Sequence, residues 1–362
     1  MKKKRHIFRK LIPTLIILIM LFGIGTCYYL VSPVSNNSEK ELFTVKKFEN
    51  GYGSRDLIND LYNKGFIKNK EFTYLYVKIN GFNPKVGTFE LDKNMSLGKI
   101  LKYLSNDKNI VKDVMRIEFK EPMDMTSFIE TVTSNTSITE TDIINKMNDK
   151  EYIKSLITKY WFLTDEILQD GIYYPLEGYL APDTYEFYKD ATIDDIFEKL
   201  LNQESDILDN YKILIDSNDL SIHKIMTLAS IAEREANNLE DRKNVVGVFY
   251  NRLNNGIALG SDVTTYYAAK KKLWSGDLTI EEINSDNPYN TRSASSAGKL
   301  PIGPICSPVD EAINATLNYT SNNYFYFVSD KNGKLYFSET EDEHVRKVQE
   351  LQESGNWHTY DE

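Results

Sequence analysis

Residues 221–236 of the chain read SIHKIMTLASIAEREA. Ser221 can cap a helix here, and apolar residues recur at helical spacing along two sides of the stretch. With 3.6 residues per turn, Glu233 lies on one of these sides and Glu235 on nearly the opposite one. The pattern therefore predicts a buried helix that carries two glutamates close to its end.

The two glutamates are candidates for acid/base chemistry. A carboxyl group on an apolar face loses hydration, which raises its pKa toward the range that suits a general acid. The alternative is that Glu233, Arg234 and Glu235 form a solvated charge cluster held by local ion pairs. Periodicity does not choose between Glu233 and Glu235, because both lie over apolar residues.

The N-terminus predicts a membrane anchor. Residues 1–10 contain six Lys or Arg, and residues 11–31 form an apolar run without a charge. A helix needs roughly 20 apolar residues to cross a bilayer, and the basic flank indicates a cytoplasmic N-terminus. We therefore expect a cytoplasmic tail at 1–10, one transmembrane helix at 11–31, and the rest of the chain outside the cell membrane. The alternatives are a cleaved signal peptide and a lipoprotein modified at Cys27.

Composition limits the classes of partner. The chain has 362 residues, 41% of them hydrophobic and 27% charged, as in ordinary globular proteins. Its net charge is −10, and removing the six positive charges of residues 1–10 leaves −16 for the rest. Such an acidic chain argues against nucleic acid as a partner but allows a neutral sugar polymer. The four His and two Cys residues are scattered, so the sequence predicts no metal site and no cofactor.

The chain after the apolar run divides into three parts. Residues 32–42 are polar and predict a linker. Residues 43–108 show the order strand–helix–helix–strand–helix, with Ser54 and Asn69 as expected helix caps. Residues 109–362 mix helices with short strands. The predicted fold class is therefore α+β.

Three details of the last part are specific enough to check. Residues 125–160 are expected to form two helices, the second with Ser137 and Glu140 at capping-box spacing. Residues 259–270 are expected to be irregular. Residues 324–337 alternate around an Asp-Lys-Asn-Gly turn, which predicts a β-hairpin.

Several motifs resemble one known family. The run LASIAERE at 228–235, followed by VFYNRL at 248–253, resembles the signature of the YceG-like family of endolytic murein transglycosylases. Further motifs stand in the expected order. They are EGYLAPDTY at 177–185, LGSDVT at 259–264, NPYNT at 287–291, LPIGPICSP at 300–308 and YFYFV at 324–328. Motifs in the right order over nearly the whole chain are more specific than any one of them.

The resemblance implies roles for the two glutamates and for the domains. Glu233, the first glutamate of the family's ExE pair, becomes the catalytic acid/base residue, and Glu235 becomes structural. Residues 43–108 become a LysM-like domain and residues 109–362 the catalytic domain. The implied reaction cuts the bond between MurNAc and GlcNAc within nascent glycan strands, leaves 1,6-anhydroMurNAc ends and ends strand elongation.

The motifs also supply candidate sugar contacts. Short polar side chains on loops suit hydroxyl and acetamido groups, and an aromatic ring can stack on a sugar face. The candidates are Ser261, Asp262, Tyr289, Asn290 and Thr291. The alternative for Asp262 and Asn290 is that they order their loops by side-chain-to-backbone hydrogen bonds.

Four positions depart from the family pattern. Gly260 stands in place of a usual Gln, Val263 and Ile302 in place of usual Pro residues, and Leu335 in place of an expected His. A sugar contact made through that Gln or that His would be missing here. None of these departures touches Glu233.

Two other functions remain open on the sequence. A muramidase-type hydrolase would need a second positioned carboxylate, for which Asp262 is the candidate. A non-catalytic glycan-binding or scaffold protein would be indicated by a change at Glu233, and that residue is intact. The partners that the resemblance implies are peptidoglycan strands, the membrane and penicillin-binding synthases.

Overall fold

The computed structural model of the protein describes residues 18–48, 52–111 and 114–357. Helices and small two- and three-stranded sheets alternate along the chain, which confirms the mixed α+β class. Two compact units are present. They comprise residues 1–115 with 186–189, and residues 116–185 with 190–362.

The first unit follows the predicted order of elements. They are α1 (residues 18–31), β1 (Lys40–Val45), α2 (Ser54–Asn63), α3 (Lys70–Asn80), β2 (Gly87–Asp92), α4 (Leu97–Leu104) and the added short strand β3 (Ile110–Val111). Antiparallel pairing of β1 with β2 sets Phe43 opposite Phe89, and both rings are buried under Leu57 and Ile100. Its resemblance to a LysM domain stays a prediction.

The helix caps of this unit agree with the sequence at one position and differ at another. The Asn69 side chain accepts a hydrogen bond from the Phe72 N–H at 2.8 Å, as expected of a cap. The N-cap of α2 is Gly53 rather than Ser54, because the Gly53 N–H is bound by the Asp56 carboxylate at 2.8 Å.

Residues 18–31 are the described part of the predicted membrane anchor. They form α1, whose apolar side chains Leu18, Phe22 and Ile24 are exposed. Within the described ranges, no helix has both the length and the apolar character that a membrane crossing requires. Residues 11–17 of the predicted span, and the predicted tail at 1–10, lie outside the described residues.

The remaining elements contain the candidate site. They are β4 (Val114–Glu118), α5 (Met125–Asn135), α6 (Glu140–Asn148), α7 (Lys150–Lys159), β5 (Thr184–Tyr188), α8 (Ile193–Asp209), α9 (Lys212–Asp216), α10 (Ile222–Glu235), α11 (Leu239–Asn254), α12 (Asp262–Ala268), α13 (Ile280–Ile283), α14 (Asp310–Leu317), β6 (Tyr326–Ser329), β7 (Leu335–Ser338) and α15 (Glu341–Glu353). Strand β6 pairs antiparallel with β7, with Phe327 opposite Phe337, which confirms the predicted hairpin.

Helix α10 is the buried centre of the second unit, as its sequence predicts. Ser221 caps it by accepting a hydrogen bond from the Lys224 N–H at 3.4 Å, and every residue from Ile225 to Glu233 is buried. Helices α11, α12 and α14 pack against it. Small residues such as Ala229 and Ala232 let these neighbours approach closely on more than one side.

Two sequence expectations differ from the structure. Residues 259–270, expected to be irregular, contain α12, because burial of Val263 and Tyr266 outweighs the low helix propensity of its β-branched residues. Residues 125–160 form three helices rather than two. The extra break falls at Asp149, whose carboxylate accepts the Glu151 N–H at 3.1 Å and starts α7.

Helix α6 also begins two residues later than its expected start signal. Its N-cap is Thr139, whose Oγ1 accepts the Asp142 N–H at 3.2 Å, while the Asp142 carboxylate binds the Thr139 N–H at 3.0 Å. This reciprocal pair is a capping box. It takes the role that the sequence had given to Ser137 and Glu140.

Candidate active site

Glu233 lies in the last turn of α10 and is held from two sides. Its Oε1 accepts a hydrogen bond from Nη2 of Arg242 at 3.0 Å, and its Oε2 accepts one from the Val309 N–H at 3.5 Å. The local chain explains the first contact. Because α10 ends at Glu235 and α11 begins at Leu239, Arg242 stands one turn into the next helix, beside the end of α10.

Arg242 is itself fixed by three partners. Besides Glu233, its Nε donates to the carbonyl of Ala236 at 3.0 Å and its Nη1 donates to Oε2 of Glu311 at 3.2 Å. The Arg242 side chain is 8% exposed, whereas that of Glu311 is 61% exposed. The Arg242 guanidinium therefore bridges the buried carboxyl of Glu233 and the solvent-exposed carboxyl of Glu311.

Sequence reasoning missed Arg242 and Glu311. A signal for Arg242 existed, because a buried carboxylate near a helix end requires a cation, and Arg242 is the first cation of the next helix. Nothing comparable pointed to Glu311, which lies 69 residues further along the chain.

Burial dominates the electrostatics of Glu233. The loss of water from its carboxyl raises its pKa, and the negative charge of Glu121 adds to the rise. The positive charge of Arg242 and the Val309 N–H act in the opposite direction, but the net shift of the Glu233 pKa is upward. The carboxyl can thus carry a proton as an acid and, once ionised, accept one as a base.

A cleft of about 570 Å³ lies beside this carboxyl. Its volume falls within the range of small-molecule sites, roughly 300–1,000 Å³. Charged side chains line much of it, namely Glu121, Asp183, Arg242, Asp310 and Glu311. Arg242 and Val309 both line the cleft and both hydrogen-bond to Glu233, so the Glu233 carboxyl lies directly behind the cleft wall.

Glu235 contacts a different part of the molecule. Its Oε1 accepts a hydrogen bond from Oγ of Ser261 at 2.5 Å. Burial raises its pKa to about 7, against the lowering effects of the Ser261 hydrogen bond and the charge of Arg252. Both glutamates thus have raised pKa values. What distinguishes them is that the hydrogen bonds of Glu233 lead to cleft-lining groups and that of Glu235 leads to Ser261.

Four of the five predicted sugar contacts are buried, namely Ser261, Tyr289, Asn290 and Thr291. The Ser261 N–H donates to Oγ1 of Thr291 at 3.1 Å. The Asn290 Nδ2 donates to the carbonyls of Ser285 and Ile283 at 2.8 and 2.9 Å. These bonds tie loop segments together, so ordering of the loops accounts for them. A role in sugar binding stays a prediction.

Tyr289 and Asp262 lie in contrasting surroundings. The ring of Tyr289 is fully buried between Tyr173 and Tyr267, with ring centroids 4.8 and 4.9 Å away. It therefore offers no open face to a sugar, and the expected stacking gives way to packing within an aromatic cluster. Asp262 is half-buried and forms an ion pair with Arg292, but it does not line the cleft.

Glu177, within the EGYLAPDTY motif, is a buried loop anchor. Its Oε2 accepts hydrogen bonds from the Met125 N–H and the Tyr267 hydroxyl, each at 2.9 Å. Burial raises the pKa of Glu177 to about 8. A carboxyl that stays neutral at pH 7 can occupy this interior without an ion pair.

Three of the four positions that depart from the family pattern have structural roles. Val263 and Leu335 belong to the hydrophobic core, so these two substitutions do not change the lining of the cleft. Gly260 has a φ of +65°, and a Cβ there would stand 2.8 Å from Nη1 of Arg252. The backbone at this position suits glycine.

No arrangement of three or more His, Cys, Asp or Glu side chains fit to hold a metal ion occurs in residues 18–48, 52–111 and 114–357. Of the two cysteines, Cys306 is buried and its Sγ lies 3.3 Å from the carbonyl of Ser230.

The chain is similar to several known proteins. The model of the YceG-like family matches residues 47–350. A relative from Bacillus subtilis, named endolytic murein transglycosylase, is 30% identical over 80% of this chain and 79% of its own length. A relative of the same name from Streptococcus pneumoniae is 30% identical over 88% of this chain, which covers 60% of that longer protein.

A solved structure extends the likeness to three dimensions. The crystal structure of a yceG-like protein from Listeria monocytogenes superposes with a TM-score of 0.60 at 30% identity. The superposition covers 85% of this chain and 100% of the other. The family model, the relatives and the shared fold together show that this chain belongs to the YceG-like family.

Proposed function

We propose that the protein is an endolytic peptidoglycan lytic transglycosylase with Glu233 as its acid/base residue. The observation that carries the proposal is a buried carboxyl of raised pKa, held by Arg242 and Val309 behind the wall of a cleft. The two relatives named endolytic murein transglycosylase support the same reaction. The substrate is the bond between MurNAc and GlcNAc in a nascent strand, and cutting it ends the elongation of that strand.

The reaction needs one carboxyl group when the substrate supplies the nucleophile. Protonated Glu233 gives its proton to the glycosidic oxygen, and the bond between that oxygen and C1 of MurNAc breaks. The C6 hydroxyl of the same MurNAc attacks C1 and closes the 1,6-anhydro ring. Its proton passes to the Glu233 carboxylate, which restores the acid. The attack is intramolecular, so the positions of the reacting atoms are set within one sugar.

A hydrolase remains the alternative function. The two-carboxylate mechanism needs a second positioned carboxylate and a water. Asp262 was the sequence candidate, but it pairs with Arg292 and lies outside the cleft lining. Glu121 and Asp310 do line the cleft, and they are the groups that a hydrolytic mechanism would use.

The setting of the enzyme belongs to the same proposal. The basic residues 1–10 and the apolar residues 11–31 act as a single-pass anchor, with residues 32–42 as a linker and the catalytic domain outside the cell membrane. Residues 43–108 act as a LysM-like domain and residues 109–362 as the catalytic domain. The exposed apolar side chains of α1 support the anchor. Penicillin-binding synthases are the proposed partners.

Product analysis tests the reaction. The full chain in detergent is incubated with uncrosslinked glycan, and the ends formed are identified by mass spectrometry. Anhydro ends are expected from the wild type. Glu233→Gln, which keeps the shape of the side chain, should lower their rate by about 10²–10⁴-fold. The matched control is Glu240→Gln, an exposed glutamate at the start of α11, which should leave the rate unchanged.

Three results would contradict the proposal. Equal rates in Glu233→Gln and the wild type would remove Glu233 from its role, and Glu235→Gln would then be the next variant. Reducing MurNAc ends would indicate a hydrolase. Binding of glycan without cleavage by a correctly folded wild type would indicate a scaffold protein.

A further inference from the structure

The carboxyl of Glu233 faces an electrostatic conflict. A general acid must carry a proton when the reaction starts, yet a cation in hydrogen-bond contact favours the ionised form. Arg242 is such a cation, at 3.0 Å from Oε1 of Glu233, with both side chains buried. Arginine does not lose its proton in proteins, so this charge is permanent. Burial of the carboxyl opposes the effect of this charge, and any other group that binds the guanidinium opposes it further.

Glu311 is a second carboxylate in contact with the same guanidinium. Its Oε2 lies 3.2 Å from Nη1 of Arg242, and both residues line the cleft. The positive charge is thus shared between the buried carboxyl of Glu233 and the exposed carboxylate of Glu311. The third contact, from Nε to the carbonyl of Ala236, fixes the guanidinium at the end of α10. Arg242 cannot turn toward one partner without loosening the others.

The two oxygens of Glu233 are not equivalent. Oε1 meets a cationic N–H of Arg242 at 3.0 Å and therefore acts as an acceptor in both states of the carboxyl. Among the described residues, Oε2 accepts a hydrogen bond from the Val309 N–H alone, at the long distance of 3.5 Å. The proton that moves is accordingly carried by Oε2. Val309 lines the cleft, so Oε2 lies beside the cleft wall.

Other charged or titratable groups lie around Glu233 or line the cleft beside it, and they come from several elements. They are Arg234 on α10 itself, Arg242 on α11, Asp310 and Glu311 on α14, Glu121 before α5, and Cys306 before α14. On the far side, the Glu235 carboxyl is bound to Ser261 and neighbours Asp262. Among these groups only Arg242 hydrogen-bonds to Glu233, and only Glu311 shares that guanidinium in the described hydrogen bonds.

We propose that Arg242 is the positioning residue of the acid/base group, and that Glu311 sets how strongly Arg242 favours the ionised form of Glu233. This inference rests on the function proposed above. In the first step Glu233 loses its proton from Oε2 and becomes a carboxylate, which Arg242 stabilises. In the second step Oε2 takes the proton from the C6 hydroxyl. Arg242 and Glu311 keep their charges throughout, so protons pass only between Glu233 and the substrate.

The test is the pH dependence of kcat/KM, followed by the formation of anhydro ends with the full chain. The rate falls on the alkaline side as the free enzyme loses the proton of its general acid. Arg242→Gln removes the cation, which should raise the Glu233 pKa and shift this alkaline limb to higher pH by about one unit. Glu311→Gln removes the negative charge that shares Arg242 and should shift the limb to lower pH. The shift should be a few tenths of a pH unit, because the Glu311 side chain is exposed and solvent screens its charge.

The proposed arrangement predicts that Arg242→Gln and Glu311→Gln shift the alkaline limb in opposite directions, although each variant neutralises one charge. Arg242→Lys keeps the charge without the planar fork, so the limb should stay near its wild-type position while kcat falls. Glu240→Gln on the same helix is the matched control, and its limb should not move. Added salt should shrink the shift of Glu311→Gln more than that of Arg242→Gln.

The results separate this inference from the function on which it rests. If the wild type forms no anhydro ends, the proposed reaction fails. If the wild type is active but Glu311→Gln leaves the limb unmoved, or both neutralising variants move it in one direction, the role of Arg242 and Glu311 is overturned. Because Glu311 is exposed, that variant is expected to fold even if Arg242→Gln does not.

Discussion

Nη2 of Arg242 lies 3.0 Å from Oε1 of Glu233, and the two side chains are only 8% and 6% exposed. A buried ion pair of this kind is costly to break from one side, because the partner is left as an isolated charge. The pair therefore links the stability of the unit to the protonation of its candidate catalytic group.

The first prediction concerns the stability of Arg242→Gln as a function of pH. Without the cation, the pKa of Glu233 in the folded state rises further above its unfolded value. Stability is then fully present below the unfolded pKa and is lost as pH rises through the folded one. The variant should lose about 3–5 kcal/mol at pH 8 and clearly less at pH 5, measured by urea unfolding. A loss independent of pH would contradict this linkage, and Glu233→Gln in the same background should remove the dependence.

A second prediction addresses Asn290 as a loop-ordering residue. Its Nδ2 donates to backbone carbonyls of Ser285 and Ile283, which a carboxylate cannot do. Asn290→Asp should lower the free energy of unfolding by about 2–4 kcal/mol, because these carbonyls would face a negative charge. Asn255→Asp, an exposed asparagine that donates to one carbonyl, should cost under about 1 kcal/mol. Unchanged stability with a raised KM would instead make Asn290 a sugar contact.

A third prediction uses two glycines with similar backbone angles. Gly178 has a φ of +87°, and a Cβ there would stand 2.3 Å from Cβ of Pro304. Gly256 has a φ of +67°, and a Cβ there would meet no atom within 4 Å. Both alanine variants carry the backbone strain of about 1–2 kcal/mol, but only Gly178→Ala adds a clash. Urea unfolding should show a clearly larger loss for Gly178→Ala, and equal losses would remove the clash as a cause.

The fourth prediction concerns Glu204, which is fully buried on α8. Both of its carboxyl oxygens lack a hydrogen-bond partner, and burial raises its pKa to about 8. Its proton is held more tightly in the folded state, so stability falls as pH rises from the unfolded pKa of Glu to about 8. Replacing Glu204 by an uncharged residue should raise the free energy of unfolding by on the order of 3 kcal/mol at pH 7.

Thermal unfolding of Glu204→Gln at several pH values tests this predicted gain in stability. The Tm of the variant should exceed that of the wild type at pH 7 and converge with it near pH 4.5. The matched control is Glu198→Gln on the same helix, whose side chain is 43% exposed and pairs with Lys159. This change should leave the pH profile parallel to that of the wild type between about pH 4.5 and 7. Parallel curves for Glu204→Gln would show that its carboxyl is not held neutral by the fold.

The sequence predicts the buried helix α10 well, because a cap and two apolar sides are local properties of residues 221–236. It cannot choose between Glu233 and Glu235 from that pattern, since both carboxyls lie among apolar neighbours. The difference between them comes from other elements. Arg242 on α11 and Val309 before α14 reach Glu233, and Ser261 reaches Glu235.

Long-range contacts explain the other misses. Helix α12 forms where irregular structure was expected, because its Val263 and Tyr266 are buried in the core. Tyr289 was expected at a sugar face, but Tyr173, more than a hundred residues away in the chain, packs against its ring. Glu311 hydrogen-bonds to Arg242, which lies 69 residues earlier in the chain. No spacing in the sequence encodes these three contacts.

The central claim is that Glu233 drives an intramolecular ring closure rather than an attack by water. Cleavage of uncrosslinked glycan in water enriched in oxygen-18 tests it most directly, with the new MurNAc ends analysed by mass spectrometry. We predict 1,6-anhydro ends that contain no oxygen-18, because C6–OH of the substrate supplies the attacking oxygen. One oxygen-18 atom at C1 of each new end would contradict the claim and establish hydrolysis.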